Sequence, residues 1–147
     1  MKAHLDVVTL AVRDLDRAVA FYRDGLGLPT KGIVATELPA TERDAAGAVA
    51  FFEMDGGLML AVYPRQELVR DAAVPNSPPS AVEFSLGYVA ESKSAVDDLI
   101  ARAVTAGASR TEPARKRPWG IYSGYVRDPD GHLWEIIWNA KGEAASA

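Results

Sequence analysis

Residues 9–27 read TLAVRDLDRAVAFYRDGLG, and within this segment a strand pattern gives way to a helical one. The residues before Asp14 are rich in β-branched side chains, which is typical of a strand. Asp14 is a good N-cap, because its carboxylate can accept a free backbone N–H at the start of a helix. Apolar residues then recur at helical spacing as far as Gly25 and Gly27, which favour a helix end. The segment predicts a strand followed directly by an amphipathic helix.

The rest of the first half adds three strands. Residues 48–53 and 58–63 are strand-like and flank Asp55-Gly56-Gly57, which is a hairpin signal. A further strand is expected over residues 31–36. Prolines at positions 64, 75, 78 and 79 then predict a connector, because proline fits neither a helix interior nor a central strand. A short helical turn over residues 66–71 is compatible with this connector.

The second half repeats this order. Residues 81–88 are strand-like, either Ser92 or Ser94 can cap a helix, and Gly107 can end it. Residues 121–126 and 132–138 predict strands joined by an Asp-Pro-Asp-Gly turn over residues 128–131. The sequence therefore predicts an α+β fold made of two βαβββ modules. We expect one domain over residues 1–140, with module one over about 4–64, a connector over 65–80, module two over about 81–139, and a flexible tail over 141–147.

Composition narrows the class of protein. A chain of 147 residues with 48% hydrophobic residues can form one domain with a real core. The absence of cysteine excludes disulfides and thiolate metal sites. A net charge of -4 and a pI of about 5.2 argue against a nucleic-acid partner. An acid at Asp6 and the lack of a long apolar run predict neither a signal peptide nor a membrane span, so we expect a cytoplasmic protein.

Two segments together resemble the vicinal oxygen chelate superfamily, which includes glyoxalase I, fosfomycin- and bleomycin-resistance proteins and extradiol dioxygenases. They are the segment over residues 9–27 and DPDGHLWE at residues 128–135. The resemblance implies paired βαβββ modules that form a curled eight-stranded sheet, a cup around one small-molecule site, and a homodimer. It does not specify a reaction.

The resemblance also implies four metal-ligand positions, in the first and last strand of each module. Glu135 matches the glutamate that follows the Asp-Pro-Asp-Gly turn. The first position holds Val7, whose equivalent in module two is Glu83 if Thr9 is aligned with Ser85. The last strand of module one offers only Leu60 or Ala61. A tightly bound transition metal is therefore not expected, since such a site needs three or four protein ligands.

Strand alternation predicts which side chains face the cup. Residues expected to point inward are Val7, Thr9, Ala11, Met59, Ala61, Glu83, Ser85 and Glu135. Residues expected to pack under helices are Val8, Leu10, Val12, Trp134 and Trp138. The same alternation places His4 and His132 on the face opposite to Val7 and Glu135. An iron site of two histidines and one carboxylate is therefore not expected.

Aromatic and polar side chains complete the predicted site. We expect ligand contacts from Val7, Thr9, Ala61, Tyr63, Ser85, Trp119 and Tyr125, with Trp119 as a lid residue. The basic residues Arg115, Lys116 and Arg117 precede Trp119 and are interpreted as a solvated loop that can attract an anionic ligand.

Two functions remain open at this point. One is a cofactor-free binding protein that holds an apolar or aromatic small molecule, as a resistance or sequestration protein does. The other is a glyoxalase-like lyase or isomerase that uses Glu135 and Glu83 as catalytic residues. Two carboxylates in one small space raise the pKa of one of them, which suits a general acid or base. The same pair can alternatively hold a weakly bound divalent cation such as Mg²⁺.

Overall fold

The computed structural model describes residues 1–80 and 83–140. The chain divides into two compact units, Met1–Pro78 (unit one) and Pro79–Ala147 (unit two). Among the described residues, no helix is both long enough and apolar enough to cross a membrane.

Unit one contains four strands and two helices. A short 3-10 turn, Asp55–Gly57, joins its third and fourth strands. In chain order the elements are β1 (Val7–Val12), α1 (Leu15–Val19, continued as a π-helix over Ala20–Gly25), β2 (Thr30–Val34), β3 (Val49–Glu53), β4 (Met59–Pro64) and α2 (Arg65–Asp71).

Local signals explain where these elements begin and end. Asp14 caps α1 as expected, since its side chain accepts a hydrogen bond from the backbone N–H of Arg17 at 3.0 Å. Gly56 and Gly57 have φ values of 80° and 90°, which glycine adopts at little cost, so the chain turns back between β3 and β4. Helix α2 lies where a helical turn over residues 66–71 was expected.

The sheet of unit one has the order β1-β4-β3-β2, with β1 and β4 parallel and the other pairs antiparallel. The face toward α1 and its π-helical continuation carries the core. Leu10 and Val12 of β1 are buried, and the rings of Tyr22 and Phe52 pack with their centroids 5.6 Å apart. We call the other face, which carries Thr9 and Phe51, the open face of unit one.

Unit two repeats this plan. Its elements are β5 (Leu86–Val89), α3 (Lys93–Thr105), β6 (Ser109–Lys116), β7 (Ile121–Arg127) and β8 (Leu133–Asn139). Its sheet has the order β5-β8-β7-β6, and β5 is again parallel to the last strand. Ser92 caps α3 by accepting the backbone N–H of Ala95 at 3.0 Å, which decides between the two serine candidates. The α+β class and the two βαβββ modules are thus confirmed as two four-stranded mixed sheets with helices.

Two expectations about strands need correction. Arg115 and Lys116 belong to β6 and pair with Ser123 and Tyr122, so they do not form a loop. Strand β5 begins at Leu86, later than the expected start at residue 81. Ala81 and Val82 lie outside the described residues, as does the tail expected over residues 141–147.

The helix caps and the strand register together align the two modules. Val8 and Leu86 each lie six residues before their cap, and they pair with Leu60 and Trp134 respectively. This register makes Ala61 the counterpart of Glu135. Ala61 is one of the two residues, Leu60 and Ala61, that were expected at this position. It makes Ser85 the counterpart of Val7, so the alignment of Thr9 with Ser85, and with it the equivalence of Glu83 and Val7, is wrong.

Candidate functional site

Glu135 lies in the middle of β8, on the face that points away from α3. Its neighbours Trp134 and Ile136 alternate to the α3 side, where Ile136 is buried. Trp138 shares that side, because the ammonium group of Lys93 in α3 lies 5.2 Å from its ring centroid. The alternation prediction for β8 is therefore confirmed. We call the face that carries Glu135 the open face of unit two.

A hydrogen-bonded chain of side chains ends at Glu135. Ser123 of β7 donates its hydroxyl proton to Glu135 Oε1 at 2.8 Å, and Arg117 donates from Nε to the same Ser123 hydroxyl oxygen at 3.1 Å. Arg117 also donates from Nη2 to the backbone carbonyl of Ser123 at 3.3 Å. Glu135 is thus held in place by groups of its own unit. We call Arg117, Ser123 and Glu135 the arginine–serine–glutamate chain.

Arg117 is a residue whose role sequence reasoning missed. Only 7% of it is exposed, so the expectation of a solvated basic loop is wrong for this residue. Its Nη1 lies 3.4 Å from Glu112 Oε2, and Arg115 binds the other oxygen of Glu112 at 2.7 Å. No signal in the sequence separates Arg117 from its two basic neighbours, because its burial depends on Ser123 of the next strand.

Tyr125 pairs directly with Glu135 across β7 and β8 and lies on the same face. Burial raises the pKa of Tyr125 above its ordinary value of 10.0, and the charge and hydrogen bonding of Glu135 raise it further, whereas the charge of Arg117 lowers it. The guanidinium carbon of Arg117 lies 5.7 Å from the Tyr125 ring centroid. Tyr125 therefore keeps its proton at neutral pH and can act as a hydrogen-bond donor beside the carboxylate.

Among the remaining predicted residues of unit two, Glu83 is not brought to Glu135. Glu83 is exposed and lies before β5, and the residue opposite Glu135 is Gly87. The expected pair of Glu83 and Glu135 is therefore contradicted, because the parallel register places Glu83 beyond the end of the strand. Ser85 is exposed just before β5, and Trp119 is 69% exposed in the turn between β6 and β7.

The predicted residues of unit one lie on its open face with different degrees of exposure. Val7 is 47% exposed, whereas Ala61 is 1% exposed beside its partners Thr9 and Phe51. The hydroxyl of Tyr63 is used within the unit, since it donates to the backbone carbonyl of Ala46, whose N–H is bound by Glu67 at 2.7 Å. Tyr63 therefore anchors the loop between β2 and β3.

A groove of about 400 Å³ opens on unit one. Phe51 and Met59 reach it from the open face, and Val34 and Pro29 add further apolar surface. Thr30, Lys31 and Glu53 add polar groups to its lining. Of the residues expected to point inward, Met59 lines this groove. The contribution of β2 was missed because its strand signal is weak.

Neither histidine joins a carboxylate cluster suited to a transition metal. His132 lies in the turn before β8, where its Nδ1 is 2.7 Å from Asp128 Oδ2 and its backbone N–H binds Asp128 Oδ1 at 2.8 Å. His4 lies 3.4 Å from the exposed Asp6. Within residues 1–80 and 83–140, no group of three or more potential ligand side chains is placed to hold a metal ion.

The side chains at the four metal-ligand positions that the resemblance implies also do not fit a transition metal. Val7 and Ala61 have no ligand atoms in their side chains, and Ser85, the register counterpart of Val7, offers only a hydroxyl. Glu135 provides a carboxylate, one oxygen of which already accepts the Ser123 proton. A stable zinc site needs three or four protein ligands, and these four positions supply fewer.

Comparisons with known proteins agree with this fold. The model of the glyoxalase/bleomycin resistance protein/dioxygenase superfamily matches residues 4–136. A glyoxalase-related enzyme from Fulvimarina pelagi is 31% identical with a TM-score of 0.75, and the match covers 94% of this chain and 89% of that chain. No curated protein sequence matches the chain.

Two further solved structures are similar. The lactoylglutathione lyase from Agrobacterium tumefaciens is 27% identical, with a TM-score of 0.61 and coverage of 97% of this chain and 98% of that chain. A genomically encoded fosfomycin resistance protein from Listeria monocytogenes is 21% identical, with a TM-score of 0.66 and coverage of 95% and 96%, and supports the fold alone. The chain belongs to the glyoxalase/bleomycin resistance protein/dioxygenase superfamily.

Proposed function

We propose that this protein binds an apolar or aromatic small molecule without a transition metal, as a resistance or sequestration protein does. The observation that carries the proposal is the groove on unit one, whose lining is partly apolar and partly polar. Its volume of about 400 Å³ falls within the usual range of small-molecule sites. Membership of the superfamily supports small-molecule binding in general. The apolar part of the groove lining favours an apolar or aromatic ligand.

The size of the groove limits the affinity that it can supply by itself. An aromatic ring system that loses about 150–250 Å² of apolar surface gains roughly 4–6 kcal/mol at about 25 cal/mol per Å². Such a gain corresponds to a dissociation constant from about one millimolar down to tens of micromolar. A ligand search therefore needs millimolar concentrations of each compound.

The second part of the proposal is that Glu135 offers hydrogen bonds to a ligand on the open face of unit two. Its carboxylate is fixed by Ser123, so little side-chain entropy is lost when a donor group of a ligand binds it. Tyr125 offers a neutral hydroxyl on the same face. A hydrogen bond to a charged group contributes about 1.5–3 kcal/mol, which is enough to select among ligands of similar size.

A lyase or isomerase is the second candidate. The observation that favours it is the direct pairing of Glu135 with Tyr125, because a carboxylate base beside a phenol donor suits proton transfer. The version that uses Glu83 is not retained, since Gly87 is the residue opposite Glu135. Turnover of a compound by the wild-type protein and its loss in Glu135→Gln would support this candidate over simple binding.

The test is a thermal-shift screen with millimolar aromatic acids, phenols and aromatic antibiotics. A ligand that binds the native state raises Tm with its concentration. We expect Phe51→Ala to abolish the shift caused by a compound that binds the groove of unit one, and Glu135→Gln to reduce the shift caused by a compound that binds the open face of unit two. Phe84→Ala removes an exposed phenylalanine that does not line the groove and is the matched control. Unchanged shifts in both Phe51→Ala and Glu135→Gln would contradict the proposal.

A further inference from the structure

Arg117 is buried in a way that its ion pair does not explain. Burial of a guanidinium is unfavourable unless its charge and its N–H groups are well satisfied. Its carboxylate partner, Glu112, lies at a long 3.4 Å, and Glu112 is already bound more closely by Arg115 at 2.7 Å. The shorter contact of Arg117 is the one to Ser123, at 3.1 Å. The closest partner of the buried guanidinium is therefore Ser123, not the carboxylate of Glu112.

The contact fixes the direction of the arginine–serine–glutamate chain. A guanidinium has only donor groups, so the hydroxyl oxygen of Ser123 must accept from Nε of Arg117. The hydroxyl proton is then directed to Glu135 Oε1 at 2.8 Å, which must be an unprotonated oxygen. Hydrogen bonds linked in series polarise and strengthen one another. Arg117 thus orients the carboxylate of Glu135 without touching it.

The backbone holds Arg117 in place for this task. Its N–H donates to the carbonyl of Ile121 at 2.8 Å, and its carbonyl accepts from the N–H of Gly120 at 3.1 Å. Pro118 and Gly120 lie in the turn that these two backbone hydrogen bonds close, and Gly120 has a φ of 90°. The side chain therefore starts from a fixed point at the end of β6. From there Nε and Nη2 reach the hydroxyl and the carbonyl of one residue, Ser123.

We propose that Arg117 is a positioning residue for Glu135, acting through Ser123, so that the carboxylate is presented in one orientation on the open face of unit two. The proposal deepens the proposed function and rests on it only where Glu135 is said to contact a ligand. Arg117 itself is not assigned a ligand contact. Lysine cannot replace it, because an ammonium group lacks the planar pair of N–H groups that binds the hydroxyl and carbonyl of Ser123 together.

The test measures the side-chain carboxyl carbon of Glu135 by NMR in protein labelled with ¹³C-glutamate, with the signal assigned from Glu135→Gln. We expect Ser123→Ala, Arg117→Gln and Arg117→Lys each to move or split this signal. The matched control is Arg115→Gln, which removes the other arginine bound to Glu112 but keeps the hydrogen bonds between Arg117 and Ser123. We expect the control to leave the Glu135 signal where it is in the wild-type protein.

The double variant separates a positioning role from a general structural one. If Arg117 acts through Ser123, adding Arg117→Gln to Ser123→Ala causes no further change in the Glu135 signal. A further displacement in the double variant, or a wild-type signal in Arg117→Lys, would overturn the proposal. Should Arg117→Gln fail to fold, Arg117→Lys alone decides between these outcomes.

Ligand affinity gives a second test of the arginine–serine–glutamate chain. For a compound whose binding is weakened by Glu135→Gln, we expect Arg117→Gln to weaken binding about tenfold, the value of one hydrogen-bond contribution. The same substitution in a Glu135→Gln background should have no effect. A screen that yields no compound contradicts the proposed function, whereas the carbon signal of Glu135 still decides the role of Arg117.

Discussion

Gly87 of β5 lies directly opposite Glu135 of β8 in the parallel strand pair of unit two. Residues in register point to the same face, so the missing side chain at position 87 leaves Glu135 uncovered on the β5 side. A Cβ atom added to Gly87 would meet Cδ1 of Ile137 at 3.6 Å, an ordinary contact, and its backbone needs no positive φ. Glycine is therefore not required at this position by the backbone.

A large side chain at position 87 would therefore cover Glu135 on the open face of unit two. We expect Gly87→Phe to fold with an unchanged or higher Tm and to lose binding of any compound that uses Glu135. Gly87→Ala is the control, since a methyl group fits there without covering the carboxylate. Measurement of Tm and of ligand-induced Tm shifts on the same samples separates the two effects. Full binding by the phenylalanine variant would show that ligands do not approach Glu135 from this side.

Gly124 presents the opposite case in the same unit. A Cβ atom there would lie 2.8 Å from Cδ1 of Ile100 and 2.9 Å from Cα of Ala114, so α3 and β6 would have to move. We expect Gly124→Ala to lower the free energy of unfolding by about 1–3 kcal/mol, as overpacked cores do. Chemical denaturation measures this loss, with Gly87→Ala as the reference. Adding Ile100→Val should restore only part of it, because the clash with the backbone of Ala114 remains.

The raised pKa of Tyr125 predicts a loss of stability in alkali. A phenol whose pKa is higher in the folded state stabilises the fold while it is protonated, and this contribution is lost as pH rises through the folded pKa. We expect the free energy of unfolding to fall above pH 10.0, and to fall less steeply in Tyr125→Phe. The fall should not vanish, since the pKa values of Tyr63 and Tyr122 are also raised.

Glu135 contributes to that shift, which allows a direct check of the pair. We expect Glu135→Gln to lower the pKa of Tyr125, measured from the ultraviolet absorbance of the phenolate. The pKa should stay above 10.0, because burial is the largest cause of its rise. Asp97→Asn, which removes the carboxylate bound by the hydroxyl of Tyr122 at 2.8 Å, should leave the titration of Tyr125 unchanged. An unaltered Tyr125 titration in Glu135→Gln would contradict the pairing.

The donor set predicts the outcome of a metal analysis. Val7 and Ala61 offer no ligand atoms, and Glu135 and Ser85 together fall short of the three or four ligands of a stable zinc site. We expect elemental analysis of protein purified without chelator to find no stoichiometric zinc, nickel or iron. A stoichiometric transition metal that Glu135→Gln removes would refute the metal-independent proposal.

The sequence alone determined the repeated plan and the faces of its strands. Asp14 and the Asp55-Gly56-Gly57 turn act on neighbouring residues, so they place element boundaries wherever the rest of the chain lies. Alternation likewise assigned Glu135 and Trp138 to opposite faces of β8, since side chains on a strand change face at every residue. These features depend on local backbone chemistry and could be predicted without knowledge of the fold.

Only the tertiary structure decided which residues meet. The match of Glu135 with Gly87, which replaces the expected match with Glu83, follows from the register of two parallel strands far apart in the chain. A shift of register changes no local preference, so the sequence pattern cannot select it. Arg117 is buried and Arg115 is exposed for a related reason. Arg117 donates to the hydroxyl and the carbonyl of Ser123 and lies 3.4 Å from a carboxylate oxygen of Glu112, and together these partners offset the cost of removing its charge from water.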